Sequence, residues 1–215
     1  MSTANDIATQ ARYILNDAGV HWDDAEMLTW INQAQSVIAM LRPDATSVLK
    51  VLTLAAGTKQ SISDMKLLDV IRNVAADGVT PGRPVRLVER VLLDAIETWH
   101  TETSASYISN YAFDERSPQT FWCYPPAQAG IKVEALVSVA PGVLTNMAQS
   151  LTLPSIYDAP VMDYVLYRAF QKGTSAGSHA RSARHLESFA VALGQEAAAK
   201  ITTSPNAVDY GAARK

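Results

Sequence analysis

The side chains in this sequence able to act on a substrate or hold a metal are few, and their spacing does not gather them. Its four histidines are His21, His100, His179 and His185. None has a second histidine, a cysteine or an acid four positions further on, the spacing that puts two ligands on one helix face. His179 and His185 stand six apart, on different faces of one helix. Solvent-facing imidazoles are the simpler reading, and no metal or cofactor is expected. Asp114 and Glu115 offer two carboxylates for acid–base hydrolysis, but neighbours on an extended or turn segment point apart, and a turn paired with Arg116 fits them better. Gly57, Thr58 and Lys59 resemble the end of a phosphate loop. The first glycine of that motif would fall at Leu52, however, and no helix opens after Lys59. Ser155 and Ser175 lack the glycine frame of a nucleophile elbow. No catalytic residue emerges.

Binding chemistry is little richer. Trp22, Trp30, Trp99 and Trp122 could stack on bases or sugars, but at helical and strand positions such rings usually fill a core. Arginines cluster at Arg83, Arg86 and Arg90 and again at Arg168, Arg181 and Arg184. Arg181, Arg184 and His185 line one side of a helix and can meet the acids of a partner or DNA phosphates; a solvated face is the bland alternative. A net charge of −3 gives no general attraction to nucleic acid or anionic lipid. The apolar and charged shares, 48% and 18%, suit a soluble globular protein, and no run of roughly eighteen apolar residues is present to span a bilayer. Residues 1–6 do not resemble a signal peptide. Cys123 is the single cysteine, which excludes an internal disulfide, and its place between Trp122 and Tyr124 marks it as a small buried hydrophobe. Folding in the cytoplasm follows as the expectation.

The elements that must carry these residues can be read from periodicity. At 215 residues the chain makes one large domain or two small ones and buries roughly 70% of its unfolded surface. Residues 4–18 repeat Ile7, Ala11, Ile14, Leu15 and Ala18 at helical spacing, with Gly19 placed for a left-handed stop. Asp23 and Glu26 then form a capping pair for a second helix whose inner stripe is Leu28, Ile31, Gln35, Ile38 and Leu41, ending before Pro43. Residues 48–54 and 60–62 predict a small hairpin turning at Ala56 and Gly57. Residues 67–74 fit either helix or strand, with strand favoured from Asp69. After a loop over 76–84, residues 85–88 are extended and 89–99 helical, with Val91, Leu92, Ala95 and Trp99 facing inward. Three extended runs over 107–141 alternate with turn residues and predict an antiparallel meander. Asp158 caps a third long helix with Pro160 in its first turn and Met162, Val165, Leu166, Ala169 and Phe170 inward. A last helix over 178–200 repeats Ala183, Leu186, Phe189, Ala190, Leu193 and Ala197. The result is an α+β protein. Residues 1–45 and 153–201 make a helical bundle, 46–152 a central antiparallel β module with a short helix near 89–99, and 202–215 a tail expected to be disordered in the free protein.

The order of several phrases resembles the head-to-tail adaptor proteins of short-tailed bacteriophages. They are WINQAQSVIAMLRPDA (30–45), LTLAAGTKQSI (52–62), LLDVIRN (67–73), residues 94–99, YAFDERSPQTFWCYPP (111–126) and LPSIYDAPVMDYVLYRAF (153–170). The resemblance reaches to about Gly194 and rests on overall pattern, since no phrase is a chemical motif. It implies a virion protein with no active site, made in the host cytoplasm. Its partners would be the portal protein, the tail nozzle and other copies of itself in a ring of about a dozen. Genomic duplex would pass through without sequence-specific contact. It also implies portal docking by the C-terminal segment, with Tyr210 as apolar anchor, Arg214 and Lys215 as the charged end, and Arg181 and Arg184 in support. A wall-degrading hydrolase needs convergent carboxylates that are not seen. A nucleic-acid-binding accessory factor is disfavoured by the acidic balance.

Overall fold

The computed structural model describes residues 2–172 and 176–203. The helices are α1 (Ala4–Leu15), α2 (Asp24–Leu41), α3 (Arg90–Asp94), α4 (Asp158–Gln171) and α5 (Ala176–Thr203). The strands are β1 (Ser47–Thr53), β2 (Gly57–Ser61), β3 (Lys66–Val74), β4 (Pro81–Pro84), β5 (Arg86–Leu87), β6 (Asn110–Phe113), β7 (Thr120–Ala127) and β8 (Lys132–Ser138). Helices and two mainly antiparallel sheets make this an α+β protein, with a bundle built from both ends of the chain and the strands between them. It divides into two compact units, Met1–Arg42 with Pro141–Lys215, and Pro43–Ala140.

In the helical unit α4 is the hub, packed by α5, α2 and α1. Its buried face is Val161, Val165, Leu166, Ala169 and Phe170. α1 opens with a capping box in which Asp6 N donates to Thr3 Oγ1 and Thr3 N to Asp6 Oδ2. It stops at Asn16, whose φ of 52° is left-handed, earlier than the end expected at residue 18. Asp17 explains the early stop: its carboxylate accepts the backbone N–H groups of Gly19, Val20, His21 and Trp22, which draws the chain into a loop. α2 starts where the sequence places it, Asp23 Oδ1 accepting from Glu26 N at 2.8 Å. Leu41, assigned to its inner stripe, is exposed. Asp158 is not a cap but already helical, and its Oδ2 accepts from Ser2 Oγ at 2.5 Å. Gln35 is fully buried, and its Oε1 accepts from both Thr152 N and Thr152 Oγ1; Asn32 exchanges two hydrogen bonds with the backbone of Leu144. Two amides on α2 thus pin the segment that leads to α4.

The inner face of α5 also differs from expectation. Phe189 and Leu193 are buried, but Ala183, Leu186 and Ala190 are exposed; Ser182 is buried, and His185 and Glu196 are half-buried. Polar partners account for this. Ser182 Oγ donates to Tyr167 O, His185 pairs with Asp163, and Glu196 takes Arg42, Lys200 and the Tyr157 hydroxyl. A helix whose inner stripe is partly polar shows a weak apolar period.

The strand unit holds two four-stranded sheets, ordered β1-β8-β3-β4 and β2-β7-β6-β5. The expected hairpin of β1 with β2 does not form. β1 pairs with β8, Val48 opposite Val137 and Leu52 opposite Val133, while β2 pairs with β7 in the other sheet. The Gln60 carboxamide takes the hairpin partner's place: Oε1 accepts from Ala55 N and Nε2 donates to Ala55 O and Gly57 O. Gly57, at φ 99°, then turns the chain into the second sheet. The meander is likewise only half formed. β6 and β7 are antiparallel neighbours, but after Gly130 the chain crosses to the first sheet, where β8 lies between β1 and β3. The inward faces of both sheets share one core, with Leu67, Val70, Val133, Ala135 and Val137 against Tyr111, Phe121, Cys123 and Ala127. The helix expected over 89–99 shortens to α3, with Leu93 and Trp99 inward and Val91, Leu92 and Ala95 outward.

Candidate functional site

His185 is the imidazole in the most developed polar setting. Its Nδ1 lies 2.8 Å from Asp163 Oδ1 and its ring stacks on Phe170, centroids 5.7 Å apart. That orients the ring as a base would be oriented, yet among the described residues no hydroxyl or thiol is bonded to its other nitrogen to serve as nucleophile. A cavity of about 500 Å³ between α1 and α4 is lined by Ile7, Gln10, Asp158, Met162, Asp163 and His185. An adjoining one of about 480 Å³ holds Ile14, Phe170, Arg181, Arg184 and His185. The first brings Asp158 and Asp163 to one cavity, but each carboxylate is engaged, Asp158 by the Ser2 hydroxyl and Asp163 by His185. Arg181 and Arg184 are exposed, with Arg181 over the Phe170 ring at 5.7 Å, and neither has an acidic partner among the described residues. Tyr210, Arg214 and Lys215, the other three residues singled out for docking, lie outside the described residues, as does the expected tail from residue 204 on; its first two residues, Thr202 and Thr203, instead close α5.

The remaining chemical candidates are tied up locally. Asp114 and Glu115 point to different partners, Asp114 to Arg116 at 3.3 Å and Glu115 to Lys66 at 2.6 Å. His100 stacks on Trp99 and its Nδ1 bonds Thr58 Oγ1 at 2.8 Å. Burial pushes the Cys123 thiol up to about 11, so it stays protonated and unreactive. Burial, and then the bond to Asp69 at 2.7 Å, raises the Tyr111 phenol above its ordinary range. Asp77 moves the other way. The Thr80 hydroxyl and the Val79 and Thr80 N–H groups hold its carboxyl down at about 2, which fixes the loop before β4 without suggesting catalysis. Among the described residues no group of acids, histidines or cysteine is arranged to hold a metal, and no helix is long and apolar enough to cross a membrane.

The surface shows more than the cavities do. Leu87, Val91, Leu92 and Ile96 stand exposed within ten positions, and Leu49 and Val51 are exposed on β1. Sequence periodicity places Val91 and Leu92 inside because three consecutive apolar residues, Val91 to Leu93, leave the helical phase ambiguous. Exposed apolar surface of this kind is the character of a protein that docks on partners. The family comparison agrees. The chain matches the SU10 adaptor protein family over residues 2–209 and belongs to it. It is therefore a bacteriophage adaptor, a structural protein of the virion neck, and its family is not one of enzymes. No curated protein matches the chain.

Proposed function

We propose that this adaptor assembles as a ring of about a dozen copies between the portal and the tail nozzle, with genomic duplex passing through its channel. The family match over residues 2–209 carries this reading. The exposed apolar groups around α3 and on β1 support it, since a ring subunit needs surfaces for neighbours on two sides. A net charge of −3 supports passage rather than capture of DNA. Residues 202–215 dock on the portal, with Tyr210 as the apolar anchor, Arg214 and Lys215 at the charged end, and Arg181 and Arg184 meeting portal acids.

Electron microscopy of the protein mixed with purified portal tests this directly. Added ring-shaped density on the tail-facing end is the expected result. Removing residues 202–215 should abolish attachment and leave the circular dichroism spectrum unchanged. A bare portal with the full chain, or undiminished attachment by the shortened one, would overturn the respective part.

A further inference from the structure

α5 carries a glycine well inside its span, Gly194, nine positions before its end at Thr203. A glycine there weakens the helix, because it gives up more chain freedom on folding than any other residue. Close packing is one reason to place it, but a methyl group at Gly194 would meet nothing within 4 Å. The freedom of the backbone is the reason that remains. The two sides of this position are also held differently. On the N-terminal side Phe189 and Leu193 are buried, and the buried Ser182 donates from Oγ to Tyr167 O of α4 at 3.0 Å. On the C-terminal side none of residues 195–200 is buried. A polar cluster holds that side. The Glu196 carboxylate accepts from the Tyr157 hydroxyl at 3.1 Å and pairs with Arg42 and, one turn further on, with Lys200 at 2.6 Å. Arg42 spans the glycine: its Nη1 donates to Leu193 O at 3.1 Å, just before Gly194, and the same guanidinium meets Glu196 just after it. Leu193 O is the carbonyl that an α-helix offers to the N–H of Ala197, so the helical bond across the glycine is a shared one.

We infer that residues 195–203 form an arm that opens at Gly194 as one unit, with Arg42 and Glu196 as its latch. Opening breaks the polar cluster but uncovers no buried side chain of residues 195–200, whereas unfolding the rest of α5 uncovers Phe189 and Leu193. The arm therefore leaves the bundle far more often than the helix unfolds. The stripe that ends at Leu193 stays on α4 throughout. Few residues absorb the change, as in other hinges, and here they centre on the glycine. The inference concerns the single free chain and stands apart from the ring reading. Joined to the reading that residues 202–215 meet the portal, it supplies the movable support from which they reach it.

Residue-resolved amide hydrogen exchange on the full-length protein, in water and in dilute urea that leaves it folded, tests this. The expected result is a step at Gly194. Amides of residues 182–193 should exchange through an opening that urea promotes steeply. Those of 197–200 should exchange at least about tenfold faster, share one protection factor and respond little to urea. Gly194→Ala should slow the 197–200 group about fivefold, since alanine holds a helix better and its methyl group meets nothing. Glu196→Gln should speed the same group about tenfold by taking the charge from the latch. Circular dichroism of both variants checks that the helices are kept. A smooth decline in protection from Leu193 to Lys200 would mean ordinary fraying of a helix end, and would overturn the inference. Equal urea dependence on both sides of Gly194 would mean that α5 opens as one helix, and would overturn it too, as would an unchanged rate in Gly194→Ala. The portal takes no part in the measurement, so failure here leaves the ring reading standing.

Discussion

Several amide side chains act as substitute backbone in this protein: Asn32, Gln35 and Asn73 join segments far apart in sequence, and Gln60 closes a local turn. Asn73 is the clearest. Its Nδ2 donates to Arg83 O and Ile108 O, and its Oδ1 accepts from Ile108 N, all within 2.8–2.9 Å in a nearly closed site. Asn73→Ala leaves at least one carbonyl and one N–H buried without partners, at a cost of about 2–4 kcal/mol, read as a lower urea midpoint with an unchanged slope. A stability change under about 0.5 kcal/mol would show that water replaces the amide. Gln60 and Gln35 work in the same way for Ala55 and Thr152. The roles of Asn73 and Gln35 are not legible in the sequence, because an amide carries no sign of which distant backbone it will meet, and nothing in the turn residues marks Gln60 as the one that closes on Ala55. The Asp23 cap was legible, since its partner lies three residues on and capping needs nothing else. So was the Asp114 turn, for the same reason. The surface divides on that line: the Asp114 turn could be read locally, but the exposed side of α3 depends on which face the fold happens to cover.

Helices and strands repeat the lesson at larger size. The apolar stripes of α2 and α4 stand largely where periodicity puts them, whereas α5 hides its inner face behind Ser182, His185 and Glu196. Glu196 ties α5 to the end of α2 through Arg42 and to the start of α4 through the Tyr157 hydroxyl. Both ionic side chains are almost covered, at 13% and 12% exposure. Glu196→Ala removes the carboxylate beside the largely covered Arg42 guanidinium, which keeps its bond to Leu193 O, and should destabilise the helical unit by about 2–4 kcal/mol, seen as an earlier loss of far-ultraviolet circular dichroism on heating. Glu196→Gln, which keeps the hydroxyl bond and loses the charge, should fall between. Equal melting of all three proteins would rule out a stabilising role for the cluster. Most strand positions were legible to within a few residues from alternation and turn residues; β4 was not, because it lies in the Gly- and Pro-rich stretch over 76–84 that reads as a loop. Strand partners were not, because a local reading assumes that consecutive strands pair, and the Gln60 carboxamide and the turn at Gly130 both break that assumption.

At the scale of the whole chain, one unit is continuous in sequence and the other is not. Residues 43–140 hold their own two-sheet core, so that segment alone should give dispersed amide resonances and a cooperative thermal transition. A collapsed spectrum would show that the helical unit is needed to hold it. The helical unit has no such independence, since α1 and α2 must wait for α4 and α5 from the far end of the chain. The strand order also sets a timetable at the ribosome. β1 and β3 flank a lane that only β8 can fill, and β8 is made nearly sixty residues after β3 ends. At translation speeds of about 5–20 residues per second, the nascent chain carries β1 without its partner, and β3 with one edge open beside β4, for several seconds. Until residue 138 has left the exit tunnel, the growing polypeptide depends on cellular chaperones, or on chance, to keep those strands from pairing with another chain.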